Sequence, residues 1–123
     1  MKILTVLILS TLCLAGEAVE SADQSRGQAV ILVVGAPGTE QFGQEFAESA
    51  KLWQDACAKG DVRCITVGLN EPQDTSHRIK LKETLAGETQ ETTAPLWLVL
   101  IGHGTFDGRT AKFNLQGFDV SAD

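Results

Sequence analysis

Continuous apolar runs alternate along this chain with polar stretches of helical period. Ala29-Val30-Ile31-Leu32-Val33-Val34 is unbroken and mostly β-branched. A continuous rather than alternating run predicts a strand covered on both faces, as inside a parallel sheet. Gly35-Ala36-Pro37-Gly38-Thr39 breaks it. From Glu40 to Lys59, Phe42, Phe46, Ala50, Trp53 and Cys57 recur at helical spacing and predict one apolar stripe. Lys59 and Gly60 form the stop, a cation in the last turn and a glycine after it. Residues 62–67 predict a second strand. Asp74, Thr75 or Ser76 can cap a second helix, which carries Ile79, Leu81 and Leu85 and ends near Gly87. Pro95 then opens a third run, Leu96-Trp97-Leu98-Val99-Leu100-Ile101, which reads as a buried strand.

Strand, helix, strand, helix, strand predicts an α/β fold: a parallel sheet with right-handed crossovers and helices on both faces. Asp107-Gly108 is a turn signal, and the alternation in Ala111-Lys112-Phe113-Asn114-Leu115 predicts a hairpin arm. Ser121 reads as the cap of a helix lying beyond Asp123. The expected organisation is an export signal over residues 1–18, a polar leader over 19–28 and a partial α/β domain over 29–123, incomplete at its C-terminus. The chain has 123 residues, enough for one domain.

The first segment is set aside from the fold. Lys2 precedes an apolar run over residues 3–14, too short to span a bilayer, which takes about 20 residues. Gly16 and Ala18 are small residues at the two positions an export peptidase reads. The pattern resembles a secretory signal cleaved after Ala18 and predicts an exported protein, periplasmic or secreted; the alternative is an N-terminal membrane anchor. A lipoprotein signal is excluded because Leu12 precedes Cys13. The net charge of −6, with no basic cluster, argues against nucleic acid and against docking on anionic lipid. No membrane contact is expected beyond the export signal.

Export changes the reading of the three cysteines. Cys13 leaves with the signal. Cys57 and Cys64 remain in an oxidising compartment, where they stand either as a disulfide or as two buried thiols. Neither is placed as a nucleophile.

Candidate chemistry sits at the strand ends. In parallel sheets, ligands bind beyond the carboxyl ends of the strands. His103 stands there, between Gly102 and Gly104, directly after the third strand. An imidazole with a pKa of about 6.5 accepts and returns protons near neutral pH. Gly104 can turn its N–H toward a developing oxyanion because no side chain blocks the approach. The competing reading is a strand-end histidine that simply bonds a neighbouring loop. The loop 35–39 lacks the features of a nucleotide-phosphate loop and reads as a strand-to-helix turn with Thr39 as cap. No cofactor or metal is expected. His77 reads as a surface-helix residue, Phe106, Phe113 and Phe118 as packing, and Asp107 as a turn residue.

An apolar strand followed by His103-Gly104, a hairpin and Asp119-Val120-Ser121 resembles the histidine segment of the caspase, legumain and gingipain clan of cysteine peptidases. Residues 30–35, the turn at Ala36-Pro37-Gly38 and the long helix after it are similar to the start of legumain-like peptidases. The resemblance spans residues 29–123, about the first half of that catalytic domain. It implies a three-layer caspase-like (flavodoxin-like) sheet, a thiol protease acting on peptide or protein substrates, His103 as catalytic histidine and Gly104 as an oxyanion-hole donor. It also implies a cysteine nucleophile at the end of the next parallel strand. That residue is not in this chain, so the chain alone is expected to be inactive. The family's substrate-reading arginine has no counterpart here, where Gln41, Gln44 and Glu45 stand instead. The alternatives are an α/β-hydrolase esterase fragment, whose His-Gly lines an oxyanion hole, and a non-catalytic binding module of the same fold.

Overall fold

The computed structural model describes residues 27–72, 74–88 and 93–122. The export signal, the leader up to Arg26 and Asp123 lie outside the described residues. The elements run β1 (Ala29–Val34), α1 (Glu40–Lys59), β2 (Arg63–Val67), α2 (His77–Gly87), β3 (Leu96–Ile101), β4 (Gly104–Phe106), β5 (Ala111–Phe113) and β6 (Val120–Ser121).

The architecture is α/β. β2, β1 and β3 form a parallel sheet in that order. β4, β5 and β6 form a small antiparallel sheet beside it. β1 is central, and every one of its residues is buried. Its alternate side chains feed two separate cores. Ile31 and Val33 pack with Val67, Leu81 of α2 and Leu115. Leu32 and Val34 pack with Ala50 of α1 and, around them, Phe46, Cys64, Val99 and Ile101. The two helices therefore cover opposite faces of the sheet, as the continuous apolar run requires.

Both helices begin where a side chain satisfies an otherwise orphaned N–H. Thr39 Oγ1 accepts from Phe42 N, and Ser76 Oγ accepts from Ile79 N. Gly60 closes α1 with its N–H on Ala56 O. The left-handed residue that turns the chain into β2 is the next one, Asp61, at φ 52°. Arg63 at the start of β2 forms a two-toothed ion pair with Glu88 just beyond α2, at 2.6 and 3.0 Å. It ties the end of one helix to the start of a strand, although an exposed pair of this kind contributes little stability.

Three expectations are corrected. β3 is not buried: Leu96, Trp97, Leu98 and Leu100 are all close to half exposed. Among the described residues β3 has one neighbour, so its outer edge is open, as is the face carrying Leu96, Leu98 and Leu100, while Val99 and Ile101 on the other face pack toward α1. Ser121, read as a cap, lies in β6, paired with Lys112. Phe106 and Phe118 do not pack, being 69% and 75% exposed, whereas Phe113 leans on the core. The hairpin expected around residues 111–115 is present as β4 and β5.

Cys57 and Cys64 are free thiols, one in the last turn of α1 and the other on β2. Burial, and then the neighbouring Cys57, push the Cys64 thiol up.

Leu32 is wholly buried in the central strand, between the sheet and α1. Leu32→Ala should destabilise the chain by about 2–5 kcal/mol. Urea unfolding checks this, with the midpoint falling sharply at unchanged slope.

Candidate functional site

Parallel pairing in register brings the carboxyl ends of the three strands to one rim. Val34 lies opposite Ile101, and Val33 opposite both Val67 and Leu100. Three loops leave from there: 35–39 after β1, 68–72 after β2, and Gly102-His103 after β3.

His103 sits at that rim, partly buried, against the loop that follows β1. Its Nε2 lies 3.2 Å from the Pro37 carbonyl oxygen. A carbonyl only accepts, so Nε2 carries the proton and the neutral ring presents Nδ1 as its basic nitrogen. Two rings of α1 hold the imidazole from the side. Phe42 meets it edge-on at 4.7 Å between centroids, and Phe46 at 5.1 Å. The ring is thus fixed by a backbone acceptor and an aromatic corner. It is not sunk among aliphatic neighbours, and it does not stand at the opposite rim from the first glycine-containing loop.

The glycines around it have separate reasons. A Cβ on Gly102 would come 2.8 Å from the Phe113 ring and 3.1 Å from Gly35 Cα. A Cβ on Gly35 would come 2.5 Å from Asn114 O. These are close approaches of two loops and a ring, so Gly102 has a packing role that the sequence did not reveal. Gly104 opens β4 opposite Phe113. Asn114 N donates to His103 O, and hydrogen-bonded pairs alternate along an antiparallel ladder. Gly104 and Phe113 therefore form a non-hydrogen-bonded pair, and the Gly104 N–H is directed away from β5. A peptide N–H is thus turned outward one residue from the imidazole, so the rim combines a proton acceptor with a nearby donor for negative charge.

The neighbouring hairpin is held by its own polar contacts. Asp107 Oδ1 accepts from Arg109 N and Thr110 N, at 2.9 and 2.8 Å, and these bonds hold its carboxyl below the ordinary aspartate value. Asp107 is thereby confirmed as a turn residue that does not reach His103. Asn114 Nδ2 donates to Asp119 Oδ2, closing the chain back toward β6.

The loop after β2 carries a charged group that pattern reading passed over. Glu71 Oε1 accepts from Gly68 N and from Lys80 Nζ. The Glu71 side chain is 7% exposed. Burial pushes its carboxyl up, but the Lys80 ammonium and the Gly68 N–H outweigh that, with a smaller contribution from His77, and hold it below the ordinary value. His77 itself is corrected: it is 4% exposed, tucked behind Gly68 at the start of α2. Gly68, at φ 89°, lets the chain turn tightly over Val34 O, where any Cβ would collide.

Pro37, Phe42 and Phe46 are the site residues that sequence reasoning assigned elsewhere. The signal was present: two aromatics four apart in the opening turns of the helix, directly after a rim loop. Among the described residues, no group of three or more His, Cys, Asp and Glu is placed to hold a metal ion. Among the same residues, no helix is long and apolar enough to cross a membrane.

The chain matches no family model, no curated protein and no solved structure. The site therefore stands on its own geometry.

Two outcomes test that geometry. Long-range proton–nitrogen spectra of neutral His103 should show the proton on Nε2; a ring protonated at Nδ1 would contradict the Pro37 contact. The lowered Glu71 value means that ionised Glu71 stabilises the fold at pH values above its ordinary 4.5. That contribution disappears as pH falls through the lower folded value. Glu71→Gln should therefore cost stability at pH 7 and cost progressively less in acid, as read by urea unfolding across pH.

Proposed function

We propose that the chain is the N-terminal part of an exported, caspase-like (legumain-like) cysteine endopeptidase, supplying its general base and one oxyanion donor. The observation that carries this reading is the Pro37 carbonyl on His103 Nε2. It fixes the tautomer and aims the ring, as an orienting group does for a catalytic base. The outward N–H of Gly104 adds the complementary donor.

The chemistry follows from these two groups. His103 Nδ1 takes the proton of a thiol. The thiolate attacks the substrate carbonyl carbon, and the charge that develops on its oxygen is met by the Gly104 N–H. The imidazolium then returns the proton to the leaving amine. Neither Cys57 nor Cys64 serves as that thiol, since the pair lies where α1 ends and β2 begins, away from the His103 rim. The nucleophile is supplied by a further polypeptide strand seated on the open edge of β3. The apolar exposure of Leu96, Trp97, Leu98 and Leu100 supports a neighbour there. With it, the sheet becomes the central layer of a three-layer caspase-like fold, acting on peptide or protein substrates after export.

The coding sequence beyond codon 123 is the first place to look for that strand. A cysteine closing an apolar run supports the peptidase. A Gly-x-Ser-x-Gly elbow in its place would replace this reading with an esterase. In a polypeptide carrying both parts, His103→Ala should lower kcat/KM for peptide cleavage by roughly 10²–10⁴-fold with the fold retained. Undiminished cleavage would remove His103 from the mechanism.

A further inference from the structure

The two thiols that the proposed reaction leaves unused are the best-placed reactive pair elsewhere in the molecule. Cys57 is 5% exposed, on the sheet-facing side of α1 in its last turn. Cys64 is half-buried on β2, packed against the Leu32, Val34 and Ala50 cluster. Among the described residues β2 is an outer strand of the sheet, paired with β1. The turn between the two is tight: Val62 N donates to Cys57 O at 2.9 Å, and Gly60 N to Ala56 O at 3.0 Å. Both side chains lie on the α1 side of β2, across that short turn, and Cys57 raises the Cys64 thiol. Two thiols on facing surfaces of a helix and the strand it leads into, with the turn between them pinned, are placed for a bridge to close across that turn.

We propose that Cys57 and Cys64 close to a disulfide after export, stapling the C-terminal end of α1 to β2. The segment over residues 1–18 resembles an export signal, and exported thiols meet disulfide donors. The more exposed Cys64 reacts first. Its thiolate attacks one sulfur of a donor disulfide, of the glutathione or oxidoreductase class, and expels the other as a thiolate that takes up a proton. Cys57, deprotonated in turn, attacks Cys64 Sγ in the mixed disulfide and releases the second donor thiol. Two thiols of the chain are oxidised to one S–S bond, and the donor disulfide is reduced to two thiols.

The staple bears on the rim at a distance. α1 carries Phe42 and Phe46, which flank His103, in its first two turns. Cys57 lies in its last. Fixing that far end to β2 holds the helix against sliding along the sheet, and with it the aromatic corner. This inference does not rest on the peptidase reading; it stands on the pinned turn that places Cys57 and Cys64 on facing surfaces and on the resemblance of residues 1–18 to an export signal.

The experiment uses the full chain carrying Cys13→Ser, reduced and then exposed to glutathione disulfide. The intact mass should fall by two hydrogen atoms with no glutathione retained. Both free thiols should disappear from a thiol titration while the chain stays monomeric. Trypsin cleaves after Lys51, Lys59, Arg63 and Arg78, so the oxidised digest should yield peptides 52–59 and 64–78 joined by a bond that reductant breaks. Tm should rise by about 5 °C or more on oxidation. A stable glutathione adduct with the second thiol still free, chains joined to one another, or two thiols that persist would each overturn the proposal. Cys57→Ser should trap the glutathione adduct on Cys64 and lose the Tm rise. If that variant fails to fold, the peptide map of the chain with both cysteines still decides the matter.

Discussion

Everything at the rim depends on β1 being paired along both edges. A strand with parallel neighbours on either side has its backbone groups satisfied within the sheet, and its side chains are left to fill two cores. Ile31 and Val33 take one face, Leu32 and Val34 the other, and no position of the strand faces water. That arrangement also sets the register. With Val34 opposite Ile101 and Val33 opposite Val67, the strands end together and their loops converge. A shift by one residue would exchange the two cores and separate the Pro37 carbonyl from the His103 ring.

His103 is consequently held by groups distant in sequence. The carbonyl comes from the loop after β1, the aromatic corner from α1, and the ring itself from the end of β3. Phe113, from the hairpin, closes on Gly102 and Gly35 behind it. Such convergence restricts an imidazole more tightly than one flexible loop could. Restriction matters because a base is effective only when its lone pair is already aimed at the proton it takes.

The parts legible in the sequence were those set by local pattern. The unbroken run of β1, the five-residue stripe of α1, the caps at Thr39 and Ser76 and the turn at Asp107 all follow from period and from turn chemistry. What escaped was set by strand order and by contacts across the sheet. The composition of β3 is that of an interior strand, and nothing local indicates that it stands at an edge here. His77 follows a helix-capping serine and has the look of a surface residue, yet the tight turn at Gly68 brings the chain over it. Gly102 carries no local sign of its packing role, because its neighbours Phe113 and Gly35 lie far along the chain. The place of His103 directly after an apolar strand marked it as candidate chemistry, while the Pro37 carbonyl that bonds it comes from a loop far along the chain.

The sheet has two outer edges, and they differ in a way that bears on where a nucleophile could stand. β2 carries Arg63 and Thr66 and has no large exposed apolar residue. β3 is entirely apolar, and its Leu96, Trp97, Leu98 and Leu100 are about half exposed, with none of the charges or prolines that usually protect an edge. Neighbouring strands lie about 4.8 Å apart. A strand added beyond β3 would end roughly one such spacing from the root of His103, within reach of its ring. A strand added beyond β2 would end about three spacings away, roughly 14 Å, with β1 and β2 between. Under the proposed peptidase reading, the apolar edge is therefore the one where a single added strand would bury Leu96, Trp97, Leu98 and Leu100 and also bring a thiol to the oriented imidazole.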